Sequence, residues 1–281
     1  LGRLVVAGIA GVLLHAAPGA AQDAELRAVR VADSSGPMLD FEGAYWRDAP
    51  ATTVTMEAQV YATPQNPSPA VTELQVKAAH NGQWMAFLIE WSDPTLSDRI
   101  VVDQFGDQVA VEMPIKYDGS YEPNPMMGDP EGRVHIMQWR AAFQRDLDEG
   151  EPQVRDLYPS AQVDVYPDQV LRATDARPYM GAVGLDNPIS HPKRSPVLDQ
   201  MAEGWGTMTV EPDQNSDGRG VWRDGRWRVV ITHPLASGSE GDPSLSAGAA
   251  TLAAFAVWEG GHGEVGARKA WSFWVPLTLE P

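Results

Sequence analysis

The chain has 281 residues, with 21 Lys and Arg against 38 Asp and Glu, a formal net charge of −17, ten tryptophans, ten methionines and no cysteine. Lack of a thiol excludes disulfides, Cys-bound zinc or iron–sulfur clusters and thioether-linked cofactors, so any redox metal must be held by His, Met, Lys or carboxylate. The acidity disfavours nucleic acid and anionic membrane surfaces, and it favours encounter with a basic soluble partner.

Residues 1–14 form an apolar run with a single basic residue, and small residues at Gly19 and Ala21 precede the first acid, Asp23. This pattern suits an export signal over 1–21 cleaved after Ala21, because the run is shorter than the about 20 residues a membrane span needs. Residues 22–281 are then expected to form a single domain in the periplasm, with no membrane span after cleavage.

Alternating runs follow at Thr53–Tyr61, Thr72–His80, Gln83–Trp91, Gln108–Ile115, Val134–Trp139, Trp205–Glu211, Arg226–Thr232, Ala253–Glu259 and Ala270–Leu277, and they read as strands. Asn81-Gly82 and Asp224-Gly225 fall between apolar runs, where both residue pairs tolerate the positive φ of a type I′ hairpin. Met137–Leu147 has room for a short helix, and nothing reads as a long one. The expected architecture is all-β, an antiparallel two-sheet β-sandwich with long functional loops and few short helices. The long connectors Tyr117–Arg133 and Tyr158–Pro196 are rich in proline, and loops of that length usually carry function.

The first connector holds Met126-Met127-Gly128; the second holds Met180, His191 and Lys193. Methionine is ordinarily a core filler and lysine a solvated charge, but turn-formers here would hold each rigidly. The histidines are His15, His80, His135, His191, His233 and His262, with no HExxH spacing. Asp213-Gln-Asn-Ser-Asp217-Gly218, with Asp224 in twelfth place, imitates a calcium loop without its closing Glu, so a polar hairpin loop is expected. The stretch from Gly260 to Gly266 is glycine-rich but lacks Gly-Lys-Ser/Thr, and reads as a flexible inter-strand loop. No GxSxG elbow occurs, and no carboxylate pair is singled out for catalysis.

Several stretches act together: Trp91-Ser-Asp-Pro94, Met126-Met-Gly128 with Ile136-Met-Gln-Trp139, Asn187-Pro-Ile-Ser190 with Lys193, and Val257-Trp-Glu-Gly-Gly-His-Gly-Glu-Val-Gly-Ala-Arg-Lys-Ala-Trp271. Over about residues 40–278 the chain resembles the γ subunits of type II dimethyl-sulfoxide-reductase-family molybdoenzymes. These are the haem b subunits of dimethylsulfide dehydrogenase, ethylbenzene dehydrogenase, and selenate and chlorate reductases, with dimethylsulfide dehydrogenase the nearest in pattern. The resemblance implies one non-covalent haem b held between a methionine and a lysine. The methionine falls on Met127, with Met126 as the alternative, and the lysine on Lys193; His191 is a further axial candidate. Arg133, Arg140, Arg268 and Lys269 are candidate donors to the haem propionates.

An ammonium has no lone pair, so a lysine ligand must be neutral, a form that burial and the iron's charge both favour. A thioether favours ferrous iron and raises its potential. With both axial positions filled the site relays electrons and catalyses nothing. The implied partners are a molybdopterin catalytic α subunit, an iron–sulfur β subunit and a soluble c-type cytochrome. The alternative function is a secreted carbohydrate-binding β-sandwich module. Against it, Trp84, Trp91, Trp139 and Trp258 lie in alternating runs, which makes them core before platform.

Overall fold

A computed structural model of the chain describes residues 24–32, 36–152, 154–162, 173–175 and 193–281. The expected export segment, Met180, the 187–190 motif and His191 lie outside those residues. The strands are β1 (Leu26–Arg30), β2 (Thr52–Thr55), β3 (Glu57–Ala58), β4 (Glu73–His80), β5 (Trp84–Ser92), β6 (Gln108–Pro114) and β7 (Val134–Arg140). Then come β8 (Val197–Ala202), β9 (Thr209–Val210), β10 (Asp217–Arg223), β11 (Arg226–Pro234), β12 (Ala250–Trp258), β13 (Ala270–Trp271) and β14 (Val275–Leu279). Two short helices, α1 (Ala141–Glu149) and α2 (Val154–Leu157), complete an all-β fold. No described helix is long and apolar enough to cross a membrane.

Strand pairing runs β10-β11-β5-β4-β1-β14-β12-β6-β7-β8-β9. Strand β12 belongs to both layers: residues 250–253 pair with β14 and residues 254–258 pair with β6. The chain therefore turns a corner inside β12, and the sheet on one side folds over the sheet on the other. Alternation fills the space between them with Phe87 and Ile89 of β5, Val109 and Val111 of β6, Trp139 of β7, and Trp227 of β11, all buried. Rings meet across the layers, Phe87 against Phe255 at 6.2 Å and Trp139 against Trp227 at 5.0 Å. The indole of Trp139 also lies on β10, where a Cβ at Gly220 would come within 2.2 Å of it.

Both hairpins form, but only Asp224-Gly225 has the positive φ at both residues that a type I′ turn requires. Asp224 and Gly225 adopt φ of 53° and 73°, and Gly82 a φ of 85° in a turn that also takes in Gln83. Helix α1 starts directly after β7, inside the window that allowed one. Two expectations need correction. The sheets are not wholly antiparallel, because β1 runs parallel to both β4 and β14. The calcium-like stretch is not one loop: Asp217 opens β10, and Asp224 follows the far end of that seven-residue strand.

Candidate functional site

The even-numbered residues of β6, β7 and β12 face away from the inter-sheet core. They form the floor of a cavity of about 740 Å³, within the roughly 300–1,000 Å³ typical of cofactor and ligand sites. The volume has a local origin: Ala110, Ala254 and Ala256 stand side by side on this face, where larger side chains would fill the space. Ile136, Trp258 and Trp271 add apolar wall. At one end Gln138 links the floor, donating to Gln108 at 2.7 Å while its Oε1 accepts from Gln200 and Arg140, each at 2.9 Å. Burial lowers the Arg140 pKa from its usual range, and the guanidinium has no carboxylate partner among the described residues.

Met126 and Met127 both line the cavity. Met127 and Gly128 have φ of 74° and 70°, so the backbone makes two successive left-handed turns. Left-handed backbone is unusual for methionine and marks a constrained turn. The constraint is visible: Glu112 Oε1 accepts from the Met127 N–H at 3.3 Å, Gly128 donates to the Asn124 carbonyl at 2.9 Å, and Gly204 donates to the Met127 carbonyl at 2.8 Å. Trp274 Nε1 pins the start of the loop through Pro123 O at 2.6 Å. A Cβ on Gly128 would meet the Gly132 carbonyl at 2.7 Å.

Lys269 projects into the same cavity, with Ala267 and Trp271 at alternate positions beside it. Its amine lies 5.4 Å from the Trp258 ring centroid. Gln59 Nε2 holds this segment by donating to Ala267 O at 2.9 Å. Glu264 braces it further, accepting from Asn66 Nδ2 and the Ala70 N–H, both at 2.9 Å. Burial pushes the Lys269 amine below, and the Glu112 carboxyl above, their ordinary ranges, and the mutual attraction of the two charges opposes both shifts. The amine is thus walled in by protein yet faces open cavity, the condition that favours a neutral nitrogen with a free lone pair.

The structure does not bring Lys193 to Met127. Lys193 lines a separate pocket of about 270 Å³ that shares Ile100 with the cavity. There its Nζ pairs with Glu151 at 3.0 Å and Asp146 at 3.3 Å and sits 4.8 Å from the Phe143 ring centroid. The amine is thus already engaged by two carboxylates. Of the candidate propionate donors, Arg140 and Lys269 line the cavity. Arg133 instead reaches Glu240 at 3.6 Å, and Arg268 lies over Phe105 at 5.8 Å. The glycine-rich stretch is held rather than free, because Glu259 accepts from Gly261 N–H and Asp107 from Gly260 N–H. Sequence reasoning placed Lys269 at the rim; the signal it passed over was the period-two spacing of Ala267, Lys269 and Trp271.

Comparison with known proteins gives four matches. A family model described as ethylbenzene dehydrogenase matches residues 44–270. A chlorate reductase subunit gamma of Ideonella dechloratans is 26% identical over 276 residues, covering 96% of this chain and 91% of the relative. A protein named as a respiratory nitrate reductase heme subunit of Haloferax mediterranei is 24% identical over 238 residues; the match covers 84% of this chain and only 66% of that relative's length. Among solved structures, a family 9 carbohydrate-binding module of Caldicellulosiruptor kristjanssonii in complex with glucose is 13% identical with a TM-score of 0.40, covering 90% of this chain and 95% of the module.

Proposed function

The chain belongs to the ethylbenzene dehydrogenase family, and we propose that it is an exported electron-transfer subunit carrying one haem b in the 740 Å³ cavity. The observation that carries this reading is a thioether and an amine whose charge desolvation disfavours, Met127 and Lys269, lining one apolar space. The chlorate reductase and nitrate reductase relatives are named as gamma and heme subunits, which supports the same assignment. When bound, the haem would supply one-electron transfer, and Met127 and Lys269 are the residues that would hold it.

Each residue then has a task of its own. Lys269 offers an uncharged nitrogen because its walls withhold water. Glu112 fixes the backbone that presents Met127, while Ala110, Ala254 and Ala256 make room for a flat macrocycle whose burial supplies binding energy. Arg140, half-buried and without a carboxylate partner among the described residues, would receive an acidic substituent of the ligand. Lys193 is the lysine that loop position nominates, and Lys269 is the one the cavity nominates. The partners we propose are a molybdopterin α subunit, an iron–sulfur β subunit and a soluble c-type cytochrome, in a periplasmic complex of the dimethylsulfide-dehydrogenase kind.

Absorption spectra of protein made in haem-replete cells test the site. Lys269→Ala should convert a low-spin spectrum to high spin or lose the pigment, while Lys193→Ala leaves it unchanged; the reverse result returns the amine to Lys193. Met127→Ala should lower the midpoint potential or abolish six-coordination. An effect seen only with Met126→Ala would move the sulfur by one residue. Colourless wild-type protein would end the proposal.

A further inference from the structure

On the opposite face of β7, between the two sheets, His135 meets His233 of β11 with ring centroids 4.9 Å apart. Three carboxylates surround the pair. Glu211 Oε1 lies 3.0 Å and Asp242 Oδ1 3.4 Å from His135 Nδ1, while Asp242 Oδ2 lies 3.3 Å from His233 Nε2. On the far side of the ring, Asp199 Oδ1 lies 3.4 Å from His135 Nε2. His135 and Asp199 are fully buried, and none of the other three is more than 5% exposed. Among the described residues no lysine or arginine pairs with these carboxylates. Two buried atoms that face the cluster, His233 Nε2 and Asp242 Oδ1, have no hydrogen-bond partner. Buried polar groups in native proteins are otherwise almost always satisfied, so this concentration calls for something to fill it.

The tautomers indicate what. His233 Nδ1 donates to the Pro234 carbonyl at 2.6 Å, which turns its Nε2 on a carboxylate. Against the cost of burial, Asp199 and Glu211 raise the His135 pKa to about 9, so its Nδ1 faces Glu211 and Asp242 with a proton that a metal ion would have to displace. Atoms brought this close, at 3.0–3.4 Å, need a proton or a metal cation between them. For ligands about 2.0–2.1 Å from a tetrahedral ion the ligand–ligand edge is about 3.4 Å. The ligand atoms of His135, His233 and Asp242 all lie within 4.8 Å of one another.

We propose that His135, His233, Asp242 and Glu211 form a structural site for one divalent transition-metal ion of the zinc class. Two imidazoles select against calcium and magnesium, which prefer oxygen throughout. Asp199 orients His135 from outside, as carboxylates do behind metal-bound imidazoles. It is itself held by the N–H groups of Asn215 and Ser216, each at 2.7 Å, and Asn215 Nδ2 donates to Asp242 at 2.8 Å. Part of the stretch that imitates a calcium loop thus serves as outer support. Four protein ligands leave no open position, so the ion clamps β7 of one sheet to β11 of the other and takes no part in catalysis. The proposal does not depend on the haem.

The full chain, purified without chelator, should contain close to one equivalent of non-haem zinc. After stripping with a strong chelator it should take back one equivalent of added Zn²⁺, and its melting temperature should rise with free Zn²⁺. His233→Gln and Asp242→Asn should lose the equivalent, while His80→Gln, at a buried histidine elsewhere, keeps it. Should the variants fail to fold, Co²⁺ loaded into stripped wild-type protein gives the same answer: X-ray absorption should show four nitrogen and oxygen neighbours with two imidazoles. No bound or regained metal, a melting temperature indifferent to Zn²⁺, or an equivalent that survives both variants overturns the site.

Discussion

Gly128 sets where Met127 points. Its left-handed φ of 70° and the 2.7 Å approach to the Gly132 carbonyl leave no room for a side chain. Gly128→Ala should therefore cost about 1–3 kcal/mol of stability, read by thermal melting, and shift the haem spectrum because the neighbouring methionine moves with the turn. Asp107 behaves differently, since burial, with Asp93 nearby, pushes its pKa up to about 7. Between pH 4 and 7 the folded chain keeps a proton that the unfolded chain has released. Stability from this group should fall as pH rises through that window and level off above it, by roughly 4 kcal/mol at most. Denaturant titrations across that range should show this slope, reduced in Asp107→Asn; identical slopes would refute the assignment. The two lysines show where residue reading stops. Lys193 drew attention because it sits among prolines, yet its partners Asp146 and Glu151 are 47 and 42 positions away and only the fold reveals them. Lys269 follows an arginine and looks solvated until the cavity is seen around it.

Strands with clean alternation or a hairpin turn were legible: β4 with β5 and β10 with β11 meet at Asn-Gly and Asp-Gly, whose backbone preference acts within a few residues. Strand β8 was not, because both of its faces are covered and Asp199 and Gln200 break the polarity pattern. Strand β1 escaped for another reason, since its parallel partners are remote in sequence and leave no local mark. Two of the motifs that carry the family resemblance, at Trp91–Pro94 and Val257–Trp271, meet in joints. Thr95, just past the Trp91–Pro94 stretch, donates to Glu259 at 2.8 Å, and Gly260 N–H donates to Asp107 at 2.8 Å, tying the ends of β5, β6 and β12 beside the cavity. Gly220 in β10 is a joint of another kind, a gap that receives Trp139. Gly220→Ala should overpack it and cost about 1–3 kcal/mol; an unchanged melting temperature would show that the indole can slide aside.

A net charge of −17 acts over the whole surface. Association with a basic c-type cytochrome should slow as ionic strength rises, most steeply where the Debye length passes about 10 Å near 0.1 M salt. Stopped-flow rates that ignore salt would exclude electrostatic steering.

The pairing of Leu26 with Leu277 has a bearing on biogenesis. While the ribosome is still reading the middle of the message, β1 lacks one of its two neighbours, and the segment bearing Lys269 and Trp271 has yet to be made. Contacts this distant in sequence form slowly and late. A ligand of this cavity therefore has no finished berth until the segment bearing Lys269 and Trp271 has been made and β1 has met β14.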